Sequence, residues 1–325
     1  MTIGDYTKGL RKYITCFRDF ALKNSINPTA LIADGIWCWF RYGCVLNQFI
    51  DGKFYKRKGF ERKRILTYRK WGKLISKYND KDYIHILQNK IDFNKYYKDY
   101  IGRDWLYSKE MNISQFEEFV RCHGEELFVK PIDDNEGHGI RIINVDKGNI
   151  NSAFSKLHNE EVLIEERLKQ HKDMMFGAKS VNTIRAYTVY DKKEKKAYIL
   201  KTTLRAGIGD AIVDNSHSGG VSYEVDKGLG IIISSGWSHS KGDVMIHPST
   251  NIFMPGYQLP HWSKVTSLIV KAAEMIPNVQ FIGWDVAIKE DGPVLIEGNH
   301  DPDLDLLEFV GSYGYYHEIM THLKN

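Results

Sequence analysis

Two carboxylates face each other in a hairpin predicted near the C-terminal end of the sequence. Two apolar runs flank a turn signal of acidic residues, glycine and proline. If that turn has three residues, Asp285 lies directly opposite Glu297, and the period of two along a strand places Asn299 on the same face. Opposed carboxylates repel each other, and oxygen ligands of these types suit Mg²⁺. We therefore expect a metal site here; the alternative is that one carboxyl is protonated or pairs with an arginine.

A lysine and a glycine-rich segment between two predicted strands form the second candidate site. Lys130 ends one apolar run, and Gly137, His138 and Gly139 precede the next. Glycines let backbone N–H groups turn toward anionic oxygens, and the lysine adds a positive charge, so the pattern predicts a phosphate-binding hairpin. The segment is not a Walker loop, because no Gly-Lys-Ser/Thr follows, and it is not a dinucleotide fingerprint, because a strand rather than a helix comes next. An ordinary turn is the alternative.

The third signal is an apolar run, 162–164, that ends abruptly in charged residues. The residues that follow it are Glu165, Glu166, Arg167 and Leu168. A strand edge of this kind can present free backbone groups to a planar base such as adenine, while Gln170 or Asp173 reaches the hydroxyls of a ribose. The alternative is that the run is simply the end of a surface strand.

Arginines on a second predicted hairpin form the fourth signal. Asn182 precedes the strand that contains Arg185, and Arg205 lies at the end of the following strand. Guanidinium groups hold carboxylate and phosphate oxygens through paired donors, so fixed arginines suit a site where phosphoryl charge moves. We expect Arg185 and Arg205 to hold the transferring oxygens; the alternative for each is a surface ion pair.

The elements that must position these groups are helices first and strands later. Helical spacing of apolar residues dominates the N-terminal part, and short β-branched or apolar runs separated by turn residues follow residue 126. The patterns predict an antiparallel hairpin over 183–204, a strand over 231–234 and a helix over 263–275. The expected fold class is α+β.

Domain organisation follows from the change of periodicity along the chain. Ser114 and Glu117 fit a capping box that starts a helix just before the strands. We divide the chain into a helical, basic N-terminal module (1–85), a small lobe with the glycine-rich hairpin (86–175) and a large lobe with the metal site (176–325).

Charge is unevenly distributed along the 325 residues, although the formal net charge is only +4. Ten lysines and arginines lie between Gly52 and Lys73, where Glu61 is the single acid. So small a net charge does not indicate a nucleic-acid partner. The basic segment predicts an anionic one, such as a sugar nucleotide, a lipid-linked pyrophosphate or an acidic glycan. A solvated surface is the alternative.

Cysteine usage and the lack of an apolar leader predict a cytoplasmic protein. The four cysteines have no metal-ligand spacing and are expected to be reduced. The most apolar stretch, 30–50, contains Asp34 and Arg41, which would be costly inside a bilayer, so we expect a buried helix rather than a membrane span. Peripheral membrane contact stays open, and so does the oligomeric state.

Taken in order along the chain, these motifs resemble the ATP-grasp superfamily over roughly residues 90–308. More narrowly, five motifs resemble the sugar-transfer-associated ATP-grasp family: Asn182-Thr183-Ile184-Arg185, Val213-Asp214-Asn215, Gly219-Gly220, Gly283-Trp284-Asp285 and Gly292-Pro293. The resemblance implies the ATP-grasp fold, in which two α+β lobes grip ATP, with ATP and Mg²⁺ as cofactors. Here a helical basic module would precede the two lobes.

The resemblance also implies roles for individual residues. One or two Mg²⁺ ions would be held by Asp285, Glu297 and Asn299, and Arg185 and Arg205 would steady an acyl phosphate. The ATP-binding set would be Lys90, Lys130, Gly137, His138, Gly139, Glu165, Glu166, Arg167, Leu168, Asp173 and Asn182. Lys95 and Lys98 compete with Lys90 for the place of the lysine that the family has before the small lobe.

The implied reaction converts a carboxylate into an acyl phosphate, which an amine captures as an amide, with release of ADP and phosphate. We expect the carboxylate and the amine to be sugar-linked or amino-acid-linked, on a uronic acid or amino-acid unit of a surface polysaccharide such as a capsule or O-antigen. One alternative is an ATP-grasp phosphotransferase that leaves phosphate on a small acceptor. Another is a degenerate ATP-binding module, whose mark would be a missing metal ligand or phosphate lysine.

Overall fold

The computed structural model of the chain describes residues 14–132, 139–209, 219–238 and 242–323. The helices are residues 14–23 (α1), Pro28–Tyr42 (α2), Leu46–Asp51 (α3), Gly59–Arg64 (α4), Tyr68–Tyr78 (α5), Lys81–Gln88 (α6), Lys90–Tyr96 (α7), Ile113–His123 (α8), Ile150–His158 (α9), Trp262–Met275 (α10), Leu304–Glu308 (α11) and Tyr316–Leu323 (α12). The strands are Trp105–Tyr107 (β1), Glu126–Pro131 (β2), Arg141–Asn144 (β3), Val162–Glu166 (β4), Thr183–Asp191 (β5), Lys196–Ala206 (β6), Val221–Val225 (β7), Gly236–Ser238 (β8), Gly242–Val244 (β9), Phe281–Ile288 (β10) and Pro293–Asn299 (β11). This mixture of helices and antiparallel sheets is the α+β class that the sequence predicts.

Helix α8 begins where a reciprocal cap satisfies its first backbone donors. The side chain of Asn112 accepts a hydrogen bond from the backbone N–H of Gln115, and the Gln115 side chain accepts one from the N–H of Asn112, both at 2.9 Å. The predicted box of Ser114 and Glu117 is therefore wrong by two residues. An asparagine caps as well as a serine does, and the earlier pair closes both bonds.

A four-stranded antiparallel sheet, which we call the small sheet, has the order β1–β4–β2–β3. Helices α8 and α9 cover it around an apolar core that includes Phe116, Leu127, Val129, Leu157 and Ile164. Strand β4 lies inside this sheet, with Glu165 opposite Trp105 on one side and Phe128 on the other. The run up to Glu165 is therefore not at the edge of the sheet, because β1 pairs with its outer side; adenine binding by the residues after Glu165 stays a prediction.

A seven-stranded antiparallel sheet, the large sheet, has the order β11–β10–β5–β6–β7–β8–β9. One of its faces packs against α10 through buried residues such as Ile184, Leu204, Trp284 and Val286. The side chains that alternate with them point to the other face. The hairpin predicted over 183–204 is confirmed as β5 and β6, and the helix predicted over 263–275 is α10.

The strand predicted over 231–234 is wrong. Isolated bridges join Ile231 to Gln258 and Ile232 to Val225, but the segment forms no continuous ladder. The small sheet lies within 105–166 and the large sheet within 183–299, on either side of the predicted boundary at 175. The division of the chain into three domains stays a prediction.

The second face of the large sheet is partly covered by α5, α11 and α12. Buried residues of these helices, including Trp71, Leu307 and Ile319, pack with Tyr187 and Phe281 of the sheet. The Asn79 side chain, just after α5, donates to the backbone oxygens of Phe281 at 2.8 Å and His300 at 2.7 Å. The N-terminal helices are thus bonded to the strand that carries Asp285.

Helix α2 is not the buried helix that the sequence predicts. Asn27 caps its start, and it ends at Gly43, whose φ of 71° is the left-handed conformation that glycine adopts readily. Its buried residues are Leu31, Gly35, Cys38 and Tyr42. Its exposed apolar residues include Ile36, Trp37, Trp39 and Phe40. Among the described residues, no helix has the length and apolar character needed to cross a membrane.

Candidate functional site

The second face of the large sheet brings four predicted site residues together. Asp285 on β10 is the direct cross-strand partner of Arg185 on β5 and of Glu297 on β11. Arg205 on β6 is one diagonal step away, since it lies opposite Thr183. The register is fixed because a slip of one residue would move every apolar side chain away from α10.

The predicted pairing of Asp285 with Glu297 is confirmed, but the predicted length of the turn between their strands is wrong. Lys289 and Gly292 exchange backbone hydrogen bonds of 2.9 and 3.2 Å, so the loop between them has two residues rather than three. A bulge between Asp285 and Val286 then shifts the register by one residue. The bulge cancels the difference in loop length, and the two carboxylates face each other after all.

Asp285 is the centre of a buried cluster of ion pairs. Its carboxylate accepts from Arg185 Nε at 2.5 Å, from Arg185 Nη2 at 2.9 Å and from Arg205 Nη1 at 2.8 Å. Burial alone would raise the pKa of Asp285, but Arg185 and Arg205 hold that pKa well below its usual range. Arginine pairing, the alternative to a metal, is what balances the charge of Asp285 here.

Glu297 is the carboxyl of the pair that favours its neutral form. Burial raises the pKa of Glu297, and the adjacent Asp285 carboxylate raises it further. Its Oε1 accepts from Asn299 Nδ2 at 3.0 Å. Two carboxyls and one amide on a single face are donor types that fit Mg²⁺.

The arginines nevertheless occupy both oxygens of Asp285 in this arrangement. In the part of the chain that the structure describes, no group of three or more His, Cys, Asp or Glu is placed to hold a metal ion. The assignment of Asp285, Glu297 and Asn299 as metal ligands therefore stays a proposal.

Lys130 belongs to a second buried cluster, in the small sheet. Its Nζ lies 2.7 Å from Glu165 Oε2, and Arg103 Nε lies 3.1 Å from Glu165 Oε1. Burial alone would raise the pKa of Glu165, but Arg103 and Lys130 hold it at about 2. Two positive charges face one negative charge, so the cluster keeps a positive excess that an anionic phosphate would offset.

Arg103, which no sequence signal singles out, joins the two sheets. While its Nε faces Glu165 on β4, its Nη1 donates to the backbone oxygen of Leu295 at 2.6 Å and its Nη2 to that of Ile296 at 3.2 Å. Both oxygens belong to β11, directly before Glu297. The chain of contacts from Lys130 through Glu165 and Arg103 therefore reaches the strand of the carboxylate pair.

Lys90 is the first residue of α7, and its side chain reaches the end of strand β2, which also carries Lys130. Its Nζ donates to the backbone oxygens of Pro131 at 2.8 Å and Ile132 at 3.2 Å. The two competing lysines, Lys95 and Lys98, are exposed. The structure thus brings Lys90 to the strand of Lys130, as an ATP contact of both would require.

The segment after Glu165 is bonded to neighbouring elements. The backbone N–H of Glu166 donates to the backbone oxygen of Asp104 at 3.2 Å. The sequence predicts that this N–H is free to bind a base, and in the structure it is not. The Glu166 carboxylate accepts from the N–H of Asp104 at 3.1 Å. Arg167 forms an exposed ion pair with Glu126. Arg167 and Leu168 follow the last residue of β4, where the chain leaves the sheet.

Asn182 is fully buried, and its side chain binds other parts of the chain. Its Nδ2 donates to the backbone oxygen of Met174 at 2.7 Å, and its Oδ1 accepts from the N–H of Gly207 at 2.8 Å. The Gln170 side chain bonds both backbone groups of Asn182, at 3.1 and 2.5 Å. Asn182 thus holds the segment after β4 against the large sheet by hydrogen bonds. The side chain of Asp173, in the same segment, is half exposed.

Part of the predicted phosphate hairpin lies outside the described residues. Gly137 and His138 are among the residues not described, as is the motif 213–215. Gly139 is described, with a φ of 75°, and a Cβ built there would lie 2.9 Å from Pro131 Cγ. This position therefore needs glycine.

A family model described as sugar-transfer associated ATP-grasp matches residues 70–324, well over half of the chain. The match confirms the resemblance that the motifs predict. Among curated proteins, none matches the chain.

Several solved structures are similar in fold. The ATP-grasp ligase PsnB, complexed with minimal precursor, Mg and ADP, is 13% identical, with 76% of this chain and 62% of that chain covered and a TM-score of 0.46. The N5-carboxyaminoimidazole synthetase of Staphylococcus aureus is 9% identical, with 67% and 45% covered and a TM-score of 0.40. The N5-carboxyaminoimidazole synthase of Aspergillus clavatus is 12% identical, with 73% and 51% covered and a TM-score of 0.43. The chain thus spans about three fifths or less of the length of these proteins.

Proposed function

The chain belongs to the sugar-transfer associated ATP-grasp family, and we propose that it is a ligase that joins a carboxylate to an amine at the expense of ATP. Membership in this family gives it the ATP-grasp fold and the cofactors ATP and Mg²⁺. The proposed substrate is a uronic acid or amino-acid unit of a surface polysaccharide or of its precursor, and the proposed product is the amide.

The observation that carries this proposal is the pair of arginines fixed by one buried carboxylate. A guanidinium group has five N–H donors, and Asp285 accepts from two in Arg185 and from one in Arg205. Bonds of this kind hold both planes in a set orientation before any substrate arrives. Preorganised cationic donors suit the binding of oxygens whose charge changes during a reaction.

We assign one positive cluster to ATP and the other to the reacting carboxylate. Lys130 on β2, and Lys90, whose side chain reaches the end of β2 from α7, would contact the phosphates of ATP, and Arg103 and Glu165 position Lys130. Asp285, Glu297 and Asn299 would hold Mg²⁺, which would offset the charge of the triphosphate. Arg185 and Arg205, held in place by Asp285, would bind the reacting carboxylate and steady the acyl phosphate, as the family resemblance implies.

The proposed reaction has two steps. A carboxylate oxygen attacks the γ-phosphorus of ATP, and ADP leaves with the electron pair of the broken bond. The amine nitrogen then attacks the acyl carbon, phosphate leaves with the former carboxylate oxygen, and the nitrogen loses one proton. Negative charge moves over the carboxylate and phosphoryl oxygens in both steps, which is where fixed guanidinium groups stabilise a transition state.

The experiment incubates the purified protein with Mg-ATP and a panel of uronic acids, sugar nucleotides of uronic acids and amino acids, with ammonium or glycine as the amine. ADP and free phosphate are measured separately. A ligase releases equal amounts of both, and only when a carboxylate and an amine are present. ADP without free phosphate would instead support the phosphotransferase.

A matched pair of variants links the activity to the site. Arg205→Met should abolish ADP release, because it removes one of the two fixed guanidinium groups. Arg121→Met should not change it, because Arg121 pairs with Glu118 on the exposed face of α8. Equal activity of the two variants would contradict the proposed site.

A further inference from the structure

Helix α2 presents an apolar surface to solvent. Ile36, Trp37, Trp39 and Phe40 are 45%, 58%, 50% and 66% exposed, although the opposite side of the same helix is buried. Scattered exposed apolar residues are normal in proteins, but several large ones within five positions of one helix form a contiguous patch. Such a patch indicates contact with something other than water.

The segment 53–73 packs against α2 through Phe54 and Ile65, and its exposed charges are almost all positive. They include Lys56, Lys58, Lys63, Arg64, Arg69 and Lys73. Arg69 is tied to the patch itself, since its Nη2 donates to the backbone oxygen of Phe40 at 3.1 Å. Arg41 adds another exposed cation at the end of the helix.

The acids of the same region are fewer than these cations. Asp34 accepts two hydrogen bonds of 2.6 Å from Arg62, which is largely buried. Glu61 accepts from the N–H of Lys58 at 3.0 Å and from the Tyr313 hydroxyl at 2.8 Å. Asp51 is partly buried. The surface is therefore apolar at its centre and positive around it.

The patch is fixed to the rest of the molecule. The buried side of α2 packs in a core that includes Phe17, Phe49 and Phe54. The backbone N–H of Leu66 donates to Glu308 Oε1 at 2.9 Å. The Arg57 guanidinium lies 3.3 Å from the centre of the Tyr313 ring. A partner bound at α2 would thus hold the large sheet in a set orientation.

We infer that α2 and the basic residues beside it form a docking surface for an anionic phospholipid bilayer. A helix of 15 residues is about 22 Å long, shorter than the hydrocarbon core, so it lies in the interface rather than across it. Tryptophan and phenylalanine favour that depth, and lysines and arginines near it are attracted by anionic headgroups. This inference does not depend on the proposed reaction.

The test is co-sedimentation of the full chain with vesicles of phosphatidylcholine, with and without phosphatidylglycerol. The wild type should bind the anionic vesicles and release them at high salt. Trp37→Ser combined with Phe40→Ser should weaken binding roughly ten-fold or more, because two large apolar side chains that would move from water into the membrane are lost. The matched control is Leu229→Ser, because Leu229 is 65% exposed on another part of the surface and should not affect binding.

Four results would overturn the inference. The first is equal binding to neutral and anionic vesicles, and the second is unchanged binding by the double variant with a wild-type unfolding midpoint. The third is a change in oligomeric state of the double variant by light scattering, which would make the patch a contact between two copies. The fourth is loss of binding on Lys63→Glu with Arg64→Glu but not on the aromatic change, which would indicate a site for soluble polyanions. ADP release with soluble substrates should be unchanged in the double variant, so this test and that of the reaction fail independently.

Discussion

Glu165→Gln should destabilise the folded protein strongly, although the two side chains have nearly the same shape. The Glu165 carboxylate lies 2.7 Å from Lys130 and 3.1 Å from Arg103, and all three side chains are largely buried. A neutral amide would leave two buried cations without their shared anion. Removing one partner of a buried ion pair costs about 3–5 kcal/mol.

The pKa of Glu165 gives a second value for the same loss. It is about 2, against an ordinary value of 4.5, and a difference of about 2.5 pH units corresponds to about 3 kcal/mol. Because the pKa is lowered on folding, this stability is present above the unfolded value and is lost as the pH falls toward 2. The difference between wild type and variant should therefore be largest at neutral pH and shrink in acid.

The assay is urea unfolding at neutral pH and at several lower values, followed by circular dichroism. Glu126→Gln is the control, since Glu126 pairs with Arg167 where both side chains are about half exposed. Such a pair contributes less than about 1 kcal/mol. If Glu165→Gln unfolds at the same urea concentration as the control, or if its deficit is as large in acid as at neutral pH, the account of this cluster is refuted.

Three further substitutions test the other contacts of the site. Glu297→Gln should become more stable relative to the wild type as the pH rises, because the raised pKa of Glu297 makes its ionisation unfavourable in the folded state. Calorimetry should also show that this variant binds Mg-ATP at least about ten-fold more weakly, and unchanged binding would argue against the metal assignment. Asp285→Asn should lower the free energy of unfolding by about 3–5 kcal/mol, because it leaves two buried guanidinium groups unbalanced; wild-type stability in urea would contradict this. Asn182→Ala should lower the free energy of unfolding by about 2–3 kcal/mol and speed trypsin cleavage at Lys169 and Lys172, because it removes two buried hydrogen bonds. An unchanged cleavage rate would show that Asn182 does not hold this segment against the large sheet.

Local patterns predicted the elements and one cross-strand pair, because their causes are local. The hairpins follow from alternation and turn residues, so β5, β6, β10 and β11 are where the sequence places them. The sequence predicts that Asp285 faces Glu297 on the basis of a three-residue turn, but the turn has two residues. The two side chains face each other because a β-bulge, which no sequence pattern signals, shifts the register by one residue. Both residues were nevertheless identifiable, since acidic residues inside apolar strands are rare.

The contacts that the sequence did not predict are long-range or depend on the order of strands. Arg103 contacts Glu165 and β11, far away along the chain, so nothing near it signals its role. The run that contains Glu165 looks like an edge, but β1 pairs with it because a short strand earlier in the chain is placed there by the fold. The apolar positions of α2 predicted a buried helix, since hydrophobicity alone does not show which apolar side remains in water.

The most direct test of the proposed ligase is transfer of oxygen from the carboxylate to phosphate. The carboxylate of whichever panel member supports ADP release is labelled with ¹⁸O, and the phosphate formed with Mg-ATP and amine is analysed by mass spectrometry. The account predicts one labelled oxygen in each phosphate released, because that oxygen bridges carbon and phosphorus in the acyl phosphate. Unlabelled phosphate, or label that stays in a phosphorylated product, would contradict the account.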